Sequence, residues 1–178
     1  FRLAGFELAS GFGNVLTDSV AVGVEGSKDS SGFEWLEGAA SAGTGEWLFT
    51  GNVAHNNARH GIFTWQNTSE RHIVRDFVCY HNGGWGIDHG AYRTPYLYEA
   101  GSLFGNRQGG VQIHSSSQAD PQQEFRDISI WDSPVGFWTR RHNLSAFAET
   151  LIVRPSFSNV LTQLRAGALE ATGPSHPD

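Results

Sequence analysis

Asp88, His114 and Arg140 are the residues of this chain whose types suit proton transfer and charge stabilisation. An aspartate working with an imidazole, His89 or His114, supplies an acid and a base, and a guanidinium from Arg140 or Arg141 steadies a developing charge or grips a carboxylate. Phe63, Trp65, Gln112 and Trp138 add flat rings on which a sugar stacks and an amide that bonds its hydroxyls, with His89 as a further binding residue. These positions are far apart in the chain, so they form a site only if the fold brings them together.

A repeat does so. Gly followed by an apolar residue occurs at Gly32-Phe33, Gly61-Ile62, Gly86-Ile87, Gly110-Val111 and Gly136-Phe137, at intervals of 29, 25, 24 and 26 residues. Asn56, Asn82, Asn106 and Asp132 precede the last four of these glycines by 5, 4, 4 and 4 residues. Between the markers lie short β-rich runs such as Trp47-Leu48-Phe49-Thr50, His72-Ile73-Val74-Arg75 and Leu151-Ile152-Val153, and no comparably long run has helical periodicity. Units of this size cannot bury an apolar face alone, whereas stacked units share a continuous core. The expected fold is therefore all-β, a right-handed parallel β-helix of about six coils spaced by the strand separation of roughly 4.8 Å. Asn and Asp suit a left-handed corner and can bond from coil to coil, and the glycine relieves a close backbone approach.

Within such a stack, if the residue after each Gly faces inward, Glu34, Phe63, Asp88, Gln112 and Trp138 form one outward column. Leu36, Trp65, Gly90, His114 and Arg140 form the next. The expected site thus has Asp88, His114 and Arg140 as catalytic residues and Trp65, Phe63, His89, Gln112 and Trp138 as binding residues. The competing reading makes the rings core or loop-covered and the polar groups merely solvated, and a phase error of one residue would reverse the columns. His55 and His81, 26 residues apart, are expected to stack at one corner as structural rather than metal-binding groups.

Residues 1–160 are expected to form the solenoid and 161–178 a short helix or disordered tail, with Leu161, Leu164 and Leu169 apolar. Loops are expected at 39–45, 66–71, 91–95, 115–123 and 140–145. Asn67-Thr68-Ser69 and Asn143-Leu144-Ser145 match glycosylation sequons on two of them. The sequence contains no Met, even at position 1, which suggests a piece of a longer chain, monomeric or part of that chain.

The spacing of Asn and Gly-Ile resembles the repeats of right-handed parallel β-helix proteins of the pectin-lyase-like superfamily, over residues 14–159. Gly51-Asn52-Val53-Ala54-His55-Asn56 after Trp47, and Asn14-Val15 followed by Val20 to Gly26, are similar to the β-helices of cell-surface hyaluronidases and fibrocystin-like proteins. The resemblance implies an extracellular or cell-surface setting and a carbohydrate ligand, cleaved in the catalytic families by lyase or hydrolase chemistry. There are departures: no Asp-Asp pair and no Asp-x-Asp is present, so no calcium cluster or carboxylate set carries over, and Asp88-His89-Gly90 is only loosely similar to a pectinase His motif.

Other classes are disfavoured. A net charge of -6 gives no footprint for nucleic acid, and no apolar run is long enough to insert in a membrane. Gly83-Gly84-Trp85-Gly86 lacks the Lys-Ser/Thr of a phosphate loop, and no cofactor or metal is expected. The expected function is binding, with or without cleavage, of a polysaccharide along the flank, against the alternative of a non-catalytic structural or adhesion solenoid. An intracellular scaffold is a third reading, since Cys79 has no disulfide partner.

Overall fold

The computed structural model describes residues 3–8, 13–27, 29–35, 47–65, 71–90, 95–114, 123–140 and 150–166. Short β-branched and aromatic runs, many of them closed by Asp, Asn or Gly, make strands of the regular elements. The chain opens with β1 (Ala4–Leu8). Four coils of three separate strands follow: β2 (Val15–Thr17), β3 (Val20–Val22) and β4 (Ser31–Trp35); β5 (Leu48–Thr50), β6 (Val53–His55) and β7 (His60–Thr64); β8 (His72–Arg75), β9 (Val78–Tyr80) and β10 (Trp85–His89); β11 (Tyr96–Glu99), β12 (Ser102–Phe104) and β13 (Gly109–His114). After these the second and third strands of a coil run together, as β14 (Gln123–Arg126) with β15 (Ser129–Arg140), then β16 (Thr150–Val153) with β17 (Ser156–Ala166).

Every strand pairs in parallel with its counterpart one coil away. β2, β5, β8, β11, β14 and β16 build one sheet, while the second and third faces meet through β15 in the other. The fold is a parallel β-solenoid. Ile62 lies over Ile87 and Ile87 over Val111, with Phe33 and Phe137 extending the column, and all five are buried. Each such aliphatic side chain contributes about 1.5–3 kcal/mol through burial.

The glycine before each of these residues faces inward too. A Cβ on Gly61 would lie 2.7 Å from the Gly86 carbonyl oxygen and 2.8 Å from Cβ and Sγ of Cys79 on the opposite strand. The chain therefore bends at this point, and two successive residues, Gly61 and Ile62, point into the core. Cys79 is the packed thiol that meets this bend, and burial pushes its pKa up.

Two one-residue corners turn the chain in each coil, both with positive φ. Asp18, Gly51, Asp76, Ala100, Asp127 and Arg154 form one such column, and Gly23, Asn56, His81, Gly105, Asp132 and Asn159 fit the other. This corrects the sequence reading, which put Asn56 and Asp132 in one ladder with Asn82 and Asn106. Asn56 and Asp132 are corner residues, at φ 54° and 49°, whereas the buried ladder runs through Asn57, Asn82 and Asn106. Asn57 Nδ2 donates to Asn82 Oδ1 at 2.9 Å, and Asn82 Nδ2 donates to Asn106 Oδ1 at 2.9 Å. His55 and His81 do not stack either. His81 occupies the corner, and the His55 ring lies on Tyr80, 4.6 Å away and nearly parallel.

The expected helix after Val160 is also replaced. β17 continues to Ala166, pairing with β15 from Ser156↔Ser129 to Ala166↔Thr139. Leu164 extends the Ile62 column rather than a helical stripe, because parallel pairing satisfies backbone groups that a short isolated helix would leave open. Most residues of the expected loops, both sequons and the tail from 167 onward lie outside the described residues.

The distinction between corner and ladder is measurable. Asn82→Ala removes the partners of the Asn57 amides and of the Ala54 carbonyl, so it should cost about 2–4 kcal/mol in denaturant unfolding. Asn56→Gly, at a position where two other coils already have glycine, should cost less than ~0.5 kcal/mol. Equal losses would contradict the assignment.

Candidate functional site

The third face positions the predicted columns in the register expected. Asp88, in the middle of β10, pairs with Phe63 of β7 and Gln112 of β13; beyond Gln112 come Trp138 of β15 and Arg165 of β17. His114 pairs with Arg140 one column along. Trp65 follows β7, and its indole lies across Gly90, where a Cβ would collide with its Cε3 and Cζ3 atoms. That indole and the His114 ring meet in a T-shaped arrangement, with centroids 6.3 Å apart at 75°.

At the centre Asp88 is held by two imidazoles. His114 Nε2 is 2.8 Å from Oδ1, and His60 Nε2 is 3.5 Å from Oδ2. The Gln112 amide lies 2.8 Å from the same His114 Nε2. With the Nε2 proton directed at Asp88, the basic lone pair of His114 resides on Nδ1, the tautomer that suits proton transfer. Although it faces outward, the column is well covered: Phe63, Asp88 and Gln112 are 2%, 5% and 4% exposed. Phe63 is flanked by the rings of His60 and Trp65, at 6.1 and 5.8 Å.

Burial sets the protonation states. It lowers the pKa of His60, favouring the neutral ring, and the attraction of Asp88 only partly offsets this. Burial alone would raise the Asp88 carboxyl, but the His114 hydrogen bond and the neighbouring imidazoles outweigh it and hold the group below the usual carboxylate value. A carboxylate kept ionised while buried is costly unless paired, and here the hydrogen bond from His114 is the largest of the influences that keep it ionised.

His60 was not foreseen. Counting by twos from Ile62 places it inward, but the bend at Gly61 puts it on the outer face beside Phe63. The signal was its place directly before a marker glycine, the place Trp85 takes one coil later. His89, by contrast, does not join the flank. It is fully buried in the core, with Nδ1 2.9 Å from both Thr64 Oγ1 and the Tyr98 hydroxyl, so its expected role in binding at the outer face is corrected.

Toward β17 the flank opens into a groove of about 370 Å³. Beside Val135, its lining side chains are two indoles, Trp85 and Trp138, two amides, Gln108 and Gln112, and two guanidiniums, Arg140 and Arg165. Both guanidiniums lie over the Trp138 ring, at 5.0 and 4.6 Å from its centroid. Trp85 in turn rests over Gly109, where a Cβ would collide with the indole. Gln112 touches both regions, so it links the groove to the Asp88–His114 pair. Among the described residues no group of three or more His, Cys, Asp or Glu is arranged to hold a metal ion. No helix among them is long and apolar enough to cross a membrane.

Comparison with family models, with curated proteins and with solved structures finds no match to this chain.

The buried pair has a pH signature. Both groups have pKa values depressed by folding, so each contributes stability that is full above its unfolded value and is lost as pH falls through the folded one. Thermal stability should therefore decline as pH drops below 6.5, the ordinary value for His60, and decline again below 3.8, that of Asp88. His60→Gln should reduce the first decline and keep the second. An unchanged profile in that variant would assign the upper transition elsewhere.

Proposed function

We propose that this solenoid binds a polysaccharide along its third face and that Asp88 and His114 act on the bound chain as an acid–base pair. One observation carries the reading: the hydrogen-bonded pair Asp88–His114, with Gln112 beside it, lies on one flank between Trp65 at one side and the Trp138–Arg140 groove at the other. Flat rings at intervals along a straight rod suit a linear chain of sugars, whose rings stack on indoles while amides and charged groups bond the hydroxyls. In lyase chemistry His114 takes the proton from the carbon next to a carboxyl, Asp88 stabilises the imidazolium that forms, and that imidazolium hands the proton to the leaving glycosidic oxygen as its C–O bond breaks and the C=C bond forms. A polysaccharide ligand places the protein outside the cell or at its surface, in keeping with the resemblance to pectin-lyase-like repeats.

A non-catalytic adhesion or spacer module is the second reading. The burial of Phe63, Asp88 and Gln112 favours it, because little of Asp88 is open to a ligand.

Binding to a glycan array, with assays for new reducing ends and for unsaturated products, separates the two. In the first reading Asp88→Asn lowers turnover ~10²–10⁴-fold while binding persists, and Trp65→Ala weakens binding about tenfold. Binding without turnover by the unaltered chain would leave the second reading. Neither binding nor turnover would remove both.

A further inference from the structure

We infer that the groove at the β17 end of the flank is a subsite for an anionic sugar unit, one bearing a carboxylate or a sulfate, gripped by Arg140 and Arg165. The inference rests on the polysaccharide reading and names the class of its ligand.

Three features of the groove point this way. The first is charge. The chain as a whole carries a net charge of -6, yet two guanidiniums line this groove, each over the same indole. An anion in the groove meets positive charge from both and accepts N–H bonds from their forks. The second is the remaining lining. Gln108 and Gln112 offer amide donors to the other oxygens of such a unit, and Trp85 and Trp138 offer ring faces to its carbon skeleton. The third is position. Asp88, Gln112 and Trp138 are successive members of one column, so the groove lies two strand spacings, about 9–10 Å, from the Asp88 carboxylate. A negative group is repelled at Asp88 and attracted at the groove, so the flank has an electrical polarity along the rod. A sugar chain carrying an acidic unit is thereby held in one register, with its charged unit at Arg140 and Arg165 and a different unit beside His114.

Two polymer pairs test this on the full chain. Polygalacturonate against its methyl ester isolates a carboxylate, and dextran sulfate against dextran isolates a sulfate. The acidic member of at least one pair should bind tenfold or more tightly than its neutral partner, and that margin should shrink with added salt. Arg140→Gln and Arg165→Gln should each weaken binding of that acidic polymer about tenfold. Arg154→Gln, at an exposed arginine paired with Asp127, serves as control and should leave binding unchanged. Thermal melting confirms that each variant folds. Equal binding of acidic and neutral members, or arginine variants no different from the control, overturns the subsite. If Trp65→Ala still weakens a neutral polymer in that case, the polysaccharide reading stands without it. If no polymer binds at all, both fall.

Discussion

The Asn82 side chain sets the register on which everything else depends. Its oxygen accepts from both the backbone and the side-chain nitrogen of Asn57, and its amide donates to Ala54 and to Asn106. The backbone N–H of Asn82 donates to Asn106 Oδ1 as well. The group is buried, so none of these bonds can be exchanged for water, and each is made to the coil above or below. A slip of one residue in any coil would break them together and would also turn every outward side chain of that coil inward. The ladder thus holds a stack of short strands, each too small to be stable alone, to a single alignment.

That alignment explains how a hydrogen-bonded Asp–His pair arises from residues 26 positions apart. Parallel coils place like positions over one another, so a column holds one residue from each coil at strand spacing. Contacts between different residue types come from diagonals: His114 reaches Asp88 from the next coil and one column across, and His60 reaches it from the coil before. Glycine assists twice. Gly90 and Gly109 lack side chains where the column would otherwise be full, and Trp65 and Trp85 lie down over those gaps.

The column structure was legible in the sequence because it depends on one regular quantity, the spacing of glycine and the residue after it. Phe63, Asp88, Gln112 and Trp138 therefore fell in line as expected. What the spacing did not contain was the bend. Period-two counting assumes a straight strand, and at Gly61 two inward residues in succession shift the phase of everything before them, which hid His60. The Asn marker failed for a related reason: a positive-φ corner and a buried ladder position are adjacent, and Asn suits both, so the pair Asn56-Asn57 offered no basis for choosing between them. His89 was grouped with Asp88 by adjacency, although neighbouring residues in a strand face opposite sides. After Val160 the leucine spacing suits a helical turn or a strand about equally, and pairing with β15 decided the matter.

The solenoid carries a second row of aromatic side chains, packed differently from those of the third face. On the second face His55, Tyr80, Phe104 and Trp131 stack at 4.6, 4.8 and 4.5 Å with planes within 8° of parallel. Tyr80 and Phe104 have both ring faces covered by their neighbours and present only edges outward. Such a row stiffens the rod, but a sugar has no plane to rest on between its ends. On the third face the rings are broken out of line by Gly90, Gly109 and the polar row. Trp85 and Trp138 meet at 41° instead of stacking, and both line the groove. The same strand spacing that closes one aromatic row against itself leaves the other open, because there the column alternates ring, acid, amide and ring.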